Sequence, residues 1–323
     1  MTDIQPVQAA AQCLQANIEK VIVGKASVVE LLTVALLTPG HVLIEDVPGL
    51  AKTMLAKSLA KSLGCSFQRV QFTPDLLPSD ITGVSIFNQK THEFEYRAGP
   101  LMSQIILADE INRAGPRTQS ALLEAMEERQ VTVDGTTRSV PLPFLVVATQ
   151  NPVELEGTFP LPEAQLDRFL LRVTIGYPEV EEEREVLRRF RTVDPLEELK
   201  PVVAGTDILT LSAACRHVYI SPAIETYILS VVRATRNNPA LSLGASPRGS
   251  LALARTAQVL AAVRGRAFVI PDDVQLLSVP TLAHRLILSS QSRLHGKGVP
   301  DVLQSVIEQV PVPVEETWSD PTA

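Results

Sequence analysis

The chain is poor in cysteine, aromatic residues and positive charge, and it carries no long hydrophobic run. Only Cys13, Cys65 and Cys215 occur in 323 residues, far apart and with no CxxC pair. None of the five histidines stands at metal-ligand spacing with a cysteine or another histidine. This argues against a disulfide framework and a structural zinc site; reduced thiols in a cytoplasmic protein are the expectation. No apolar run approaches the roughly 20 residues needed to cross a bilayer. The N-terminus lacks the basic start and apolar stretch of a signal peptide. A cytoplasmic location, with no direct membrane insertion, is therefore expected. The formal net charge of −7 speaks against a nucleic-acid-binding role, which needs a basic face to neutralise phosphates.

What is there is ordinary globular material, 45% apolar and 20% charged. The length suits an α/β domain with a smaller second domain. Periodicity predicts a helix from Gln5 to Val21 and, after Gly24, another from Ser27 to Leu37. His41 to Glu45 reads as a short strand, and Ala51 to Leu63 as a helix stopped by Gly64. Strand-like runs recur at Phe67 to Phe72, Gln104 to Ala108, Phe144 to Thr149 and Phe169 to Ile175. The middle ones are continuously apolar, as in strands buried on both faces of a parallel sheet. Helical stretches such as Thr118 to Arg129 separate several of them, so the fold class is α/β with a doubly wound sheet.

Two segments interrupt the alternation. Val84 to Tyr96 has apolar positions around a polar tip at Asn88 to His92, and Val131 to Val140 carries Asp134-Gly135 between β-prone runs. Both read as hairpin insertions. After Tyr177-Pro178 an acidic cluster, Glu179 to Glu185, opens a helix whose charges suit the N-terminal dipole. A proline-containing link, Asp194 to Pro201, leads to a pattern that is helical from about Gly205 to Leu288. The expected division is 1–193 for the α/β core with its N-terminal helices, 202–288 for a smaller all-helical domain, and 289–323 for a partly disordered tail, rich in proline and acid beyond Pro311.

Between a strand and a helix lies Asp46-Val47-Pro48-Gly49-Leu50-Ala51-Lys52-Thr53-Met54. A phosphate-cradling loop belongs there, because the new helix offers unpaired N–H groups and a positive dipole end. Lys52 would reach the β- and γ-phosphates of ATP, and the Thr53 hydroxyl would ligate Mg²⁺. Asp46 and Ala51 stand where the general pattern has glycine, and a carboxylate facing phosphate would repel it unless it points away. The loop alone also fits an ordinary turn before a helix. The run Ile105 to Glu110 narrows the choice: it is a buried strand ending in two acids, at the sheet edge where open α/β folds bind ligands. There Asp109 would hold Mg²⁺ through its water shell and Glu110 would take the proton of the attacking water. The run from Phe144 ends at Gln150-Asn151, where Asn151 either orients the lytic water or forms a turn before Pro152.

With these segments in view the chain resembles the MoxR-type AAA+ ATPases of the helix-2-insert branch. The resemblance runs from the first strand to about Leu288. It is carried by Glu45 to Thr53, Ala108 to Ala114, Thr118 to Met126, and above all Asn151 with Gly157 to Phe169. In this family the loop often has acidic or alanine variants at the two glycine positions. The resemblance implies an AAA+ core with a helical lid, working as a homo-oligomeric ring, a hexamer. It also implies that Arg168 is the arginine finger reaching a neighbour's γ-phosphate and that Arg248 is the second sensor. By their own chemistry, Arg168 also suits an ion pair and Arg248 an exposed surface. Ser246 as N-cap and Pro247 as first helical residue would fix Arg248 in a first turn. Further implications are that both hairpins face the ring pore and that the work is chaperone-like maturation of client complexes, such as metal insertion. Von Willebrand factor A domain proteins are the implied partners. Two alternatives stay open: a chelatase-type AAA+ motor subunit, disfavoured by Gly157 to Phe169, and a scaffold gated by nucleotide without turnover, disfavoured by the Asp109-Glu110 pair.

Overall fold

The computed structural model describes residues 3–152, 157–191 and 194–314. The chain divides into two compact units, Cys13–Phe169 with Val173–Leu209, and Met1–Gln12 with Leu170–Arg172 and Thr210–Ala323.

The strands in chain order are β1 Val42–Glu45, β2 Phe67–Gln71, β3 Gly83–Asn88, β4 Glu93–Ala98, β5 Ile105–Asp109, β6 Gln130–Val133, β7 Thr136–Ser139, β8 Leu145–Gln150, β9 Leu171–Val173, β10 Leu241–Leu243 and β11 Ile287–Leu288. Five of them form one sheet in the order β2-β5-β8-β1-β9. The pairs β2/β5, β5/β8 and β1/β8 are parallel. Buried residues occupy both faces of β5 and β8, which explains why these strands read as unbroken apolar runs. Ile106, Ala108, Val146 and Ala148 join a core with Leu122, Leu123 and Met126 of helix Pro116–Glu128. The alternate residues point to the opposite face, where helix Lys52–Leu63 meets β5. That helix ends at Gly64, whose φ of 62° is the left-handed cap a glycine adopts freely.

The two insertions are antiparallel hairpins, β3/β4 and β6/β7. Asp134 (φ 50°) and Gly135 (φ 74°) both take positive φ at the turn of the second, as a two-residue primed turn requires. The guanidinium of Arg138 in the second hairpin stacks on the Tyr96 ring of the first at 4.0 Å.

The other unit is built on helices Pro222–Arg236, Pro247–Val263 and Pro271–Leu282. An all-helical reading leaves out a short antiparallel pair, β10 and β11, which joins segments more than forty residues apart and so leaves no local pattern, and a single parallel bridge between Tyr219 and Phe268. Nor does helical structure stop at Leu288. Helices Ser290–Leu294 and Val299–Gln309 follow, and the second buries Val302, Leu303, Val306 and Ile307 along one helical stripe. The expected tail therefore contributes to this unit's core as far as Gln309; positions 315–323 lie outside the described residues. No helix among the described residues is long and apolar enough to cross a membrane.

Candidate functional site

The parallel register brings three strand ends together. Glu45 pairs with Gln150 and Ala108 with Ala148, so the residues that follow β1, β5 and β8 emerge at one edge of the sheet. They are the loop from Asp46, Glu110 directly after Asp109 (the last residue of β5), and Asn151.

In the loop Gly49 has φ 87° and Ala51 has φ 53°. Both lie in the left-handed region, so the backbone retains at Ala51 the shape that glycine would adopt without strain. Ala51 is the N-cap of helix Lys52–Leu63 and provides no side-chain cap. That leaves the helix N-terminus open to an anionic ligand. Asp46 faces the other way. Its Oδ1 accepts from the Val47 amide at 3.0 Å, and its Oδ2 accepts from the amides of Ile175 at 2.8 Å and Gly176 at 2.7 Å. The carboxylate that stands in place of a glycine is thus committed to backbone donors. Lys52 Nζ donates to the Asp46 carbonyl oxygen at 2.5 Å. Partial burial lowers the Lys52 pKa from the ordinary lysine value, opposed by the charges of Asp46, Asp109 and Glu110.

The two acids are held by a hydroxyl that carries no signal in the sequence. Thr149, fully buried on β8, donates to Asp109 Oδ1 at 2.6 Å and accepts from the Glu110 amide at 2.9 Å. Glu110 has φ 57° and ψ 51°, a left-handed conformation rare for a side chain of its size. Its Oε2 accepts from Gln71 Nε2 at 2.8 Å and from Arg113 at 3.2 Å. Arg69 donates to Asp109 Oδ2 from two nitrogens, at 3.0 and 2.7 Å. The available signal for Arg69 and Gln71 was a polar strand, Phe67 to Phe72, in a sheet whose other strands are apolar.

Lys52, Thr53, Asp109, Glu110, Thr149 and Asn151 line one cavity of about 260 Å³, and Pro48, Gly49, Leu50, Ala51 and Met54 form its wall. Those five wall residues also border a second cavity of about 440 Å³, completed by apolar groups such as Ile22, Val186 and Phe190. A polar chamber sharing a glycine-containing wall with an apolar one has the shape needed for a polyphosphate joined to a flat base.

A family model described as "ATPase family associated with various cellular activities (AAA)" matches residues 41–171, and one described as "AAA lid domain" matches 233–306. The chaperone MoxR1 of Mycobacterium tuberculosis is 43% identical over 306 residues, covering 92% of this chain and 81% of that protein. The chain belongs to the MoxR family of AAA+ ATPases. The uncharacterized protein YeaC of Bacillus subtilis is 52% identical over 93% of this chain and 94% of its own length. A solved structure from Cytophaga hutchinsonii, described as a candidate ATPase, is similar with a TM-score of 0.90 at 39% identity, over 97% of both chains.

The two arginines that the family resemblance assigns belong to different units of this MoxR-type ATPase. Arg168 borders a separate cavity of about 210 Å³ with Glu124, Glu127 and Glu128, and its Nε lies 3.8 Å from Glu127. Arg248 is exposed in the first turn of helix Pro247–Val263, in the other unit. Ser246 is the N-cap of that helix, as its position suggests, but its side chain makes no capping bond.

Proposed function

We propose that this MoxR-type ATPase hydrolyses ATP with magnesium at the cavity bounded by the loop through Lys52 and the acids at the end of β5. It acts as a cytoplasmic ring, a hexamer, that remodels partner protein complexes. The observation that carries the reading is that Lys52, Thr53, Asp109, Glu110 and Asn151 line one cavity at an uncapped helix N-terminus.

The donors suit the metal. Thr53 and Asp109 offer hard oxygen ligands, and among the described residues no group of three or more His, Cys, Asp or Glu forms a protein cage. That composition fits an ion that completes its shell with water and substrate phosphates. Thr53 and Asp109 would hold magnesium, which when bound supplies charge neutralisation to the transferring phosphoryl group.

The chain's own residues do the rest. The amides at the start of helix Lys52–Leu63 and the Lys52 ammonium bind the phosphates. Glu110 accepts the proton of the attacking water, and Asn151 orients that water. Thr149 fixes both acids. Arg168, which borders no part of the phosphate cavity of its own chain, acts on the nucleotide of a neighbouring subunit. Arg248, on the lid, is the second sensor. A trans arginine is worth on the order of three to five powers of ten in rate, so turnover depends on assembly. The two hairpins face the pore, and clients and von Willebrand factor A domain proteins are the partners. The relative in Mycobacterium tuberculosis is named chaperone MoxR1, which supports this kind of work.

The test is subunit mixing. Arg168→Ala and Lys52→Ala proteins are each expected to lose turnover, while a mixture recovers part of it. Normal turnover by Arg168→Ala alone would make the trans assignment wrong.

A further inference from the structure

Asp109 already has a cation beside it. In the β2/β5 pair Gln71 lies opposite Asp109 and Arg69 opposite Leu107. The two-residue period therefore puts Arg69, Gln71 and Asp109 on one face of the sheet. Arg69 donates twice to a single oxygen, Asp109 Oδ2, at 3.0 and 2.7 Å. Oδ1 accepts from Thr149 at 2.6 Å. Arg69 also donates to Gln71 Oε1 at 2.8 Å, and Gln71 in turn donates to Glu110 Oε2 at 2.8 Å. The Arg69 side chain is 47% exposed against 15% for Asp109, so the guanidinium covers the carboxylate from the solvent side. Arg69 and Gln71 also line the phosphate cavity.

We propose that Arg69 is a resident counter-cation for Asp109 that magnesium displaces, so that Arg69 sets how much magnesium the site requires. This rests on the reading of Asp109 as the metal-holding carboxylate. A guanidinium and a divalent ion repel each other across one carboxylate oxygen, so the arginine has to swing aside when the metal and its water shell take that place. Its half-exposed stem allows the movement at little cost in packing. While it stays, it neutralises an acid that otherwise stands beside Glu110 in a chamber meant for polyanions. Arg69 acts on the metal through Asp109 and is a positioning residue.

The experiment is equilibrium binding of a fluorescent ATP analogue to the full chain, starting in chelator and titrating magnesium. Bound manganese, followed by electron paramagnetic resonance, gives a second readout. Arg69→Gln is expected to lower the half-saturating magnesium concentration about two- to fivefold, the range of a partly exposed ion pair. The manganese curve should shift the same way. Arg69→Lys, which keeps the charge but loses the two-nitrogen fork, should lie between Arg69→Gln and wild type. Asp109→Asn should raise the requirement. If Arg69→Gln and Arg69→Lys both leave the magnesium curve in place while Asp109→Asn shifts it, the Arg69 proposal is overturned and the role of Asp109 stands. If Asp109→Asn itself leaves the curve unmoved, the reading of Asp109 fails and the proposal goes with it.

Discussion

Asp46 Oδ2 sits 2.7 Å from the amide nitrogen of Gly176, and Asp46 does not line the phosphate cavity. One carboxylate thereby satisfies the amides of Val47, Ile175 and Gly176. An acid at the first glycine position of a phosphate loop is in this chain a structural tie.

Restoring the general pattern with Asp46→Gly should therefore harm the protein. The substitution removes the acceptor of three amides, at a cost of about 2–4 kcal/mol for bonds to a charged group left unmade. Denaturant unfolding should record that loss, and ATP affinity should not improve. An Asp46→Gly protein as stable as the wild type, binding ATP more tightly, would contradict the assignment.

Thr149 invites a sharper substitution. Valine keeps the β-branched shape and burial but cannot bridge Asp109 Oδ1 to the Glu110 amide. Thr149→Val should reduce kcat about ten- to a hundredfold, through misplacement of the two acids, with a smaller effect on nucleotide affinity. Thr149→Ser, which restores the hydroxyl, should recover most of the rate. Steady-state kinetics on the three proteins checks this.

His41 predicts how the fold responds to acid. It is buried between β1, β8 and helix Pro116–Glu128, its Nδ1 accepting from the Val146 amide at 3.0 Å and its Nε2 donating to the Met126 carbonyl at 3.1 Å. Burial lowers its pKa from 6.5 to about 4. The unfolded chain takes up a proton near pH 6.5 that the folded chain refuses until about pH 4. Stability from this site is thus complete above pH 6.5 and declines as the pH falls toward 4, by about 3 kcal/mol in total. Urea unfolding from pH 7.5 to 4.5 should show that slope, and a His41→Asn variant should show less of it.

The sequence made most of the core legible because local chemistry decides it. Asp134-Gly135 dictates a primed turn, Gly64 ends its helix in the left-handed region, and the apolar runs of β5 and β8 announce strands covered on both faces. What escaped depends on partners distant in the chain. The direction of the Asp46 carboxylate is set by amides about 130 residues away. The bridging role of Thr149 exists only once β5 and β8 are paired. Arg69 and Gln71 fall within the strand-like run Phe67 to Phe72, and only the β2/β5 register places them beside the acids. The helix Val299–Gln309 was hidden by the proline-rich stretch after it, although Val302, Leu303, Val306 and Ile307 carry a helical stripe.

The central claim is that the lysine of the loop and the acids of β5 serve one triphosphate. Calorimetric titration of ATP with magnesium into three proteins tests it most directly. Wild type and Glu110→Gln should bind with similar affinity, Glu110→Gln without measurable phosphate release, and Lys52→Ala should show no binding heat. Equal binding by Lys52→Ala, or undiminished phosphate release by Glu110→Gln, would contradict the account.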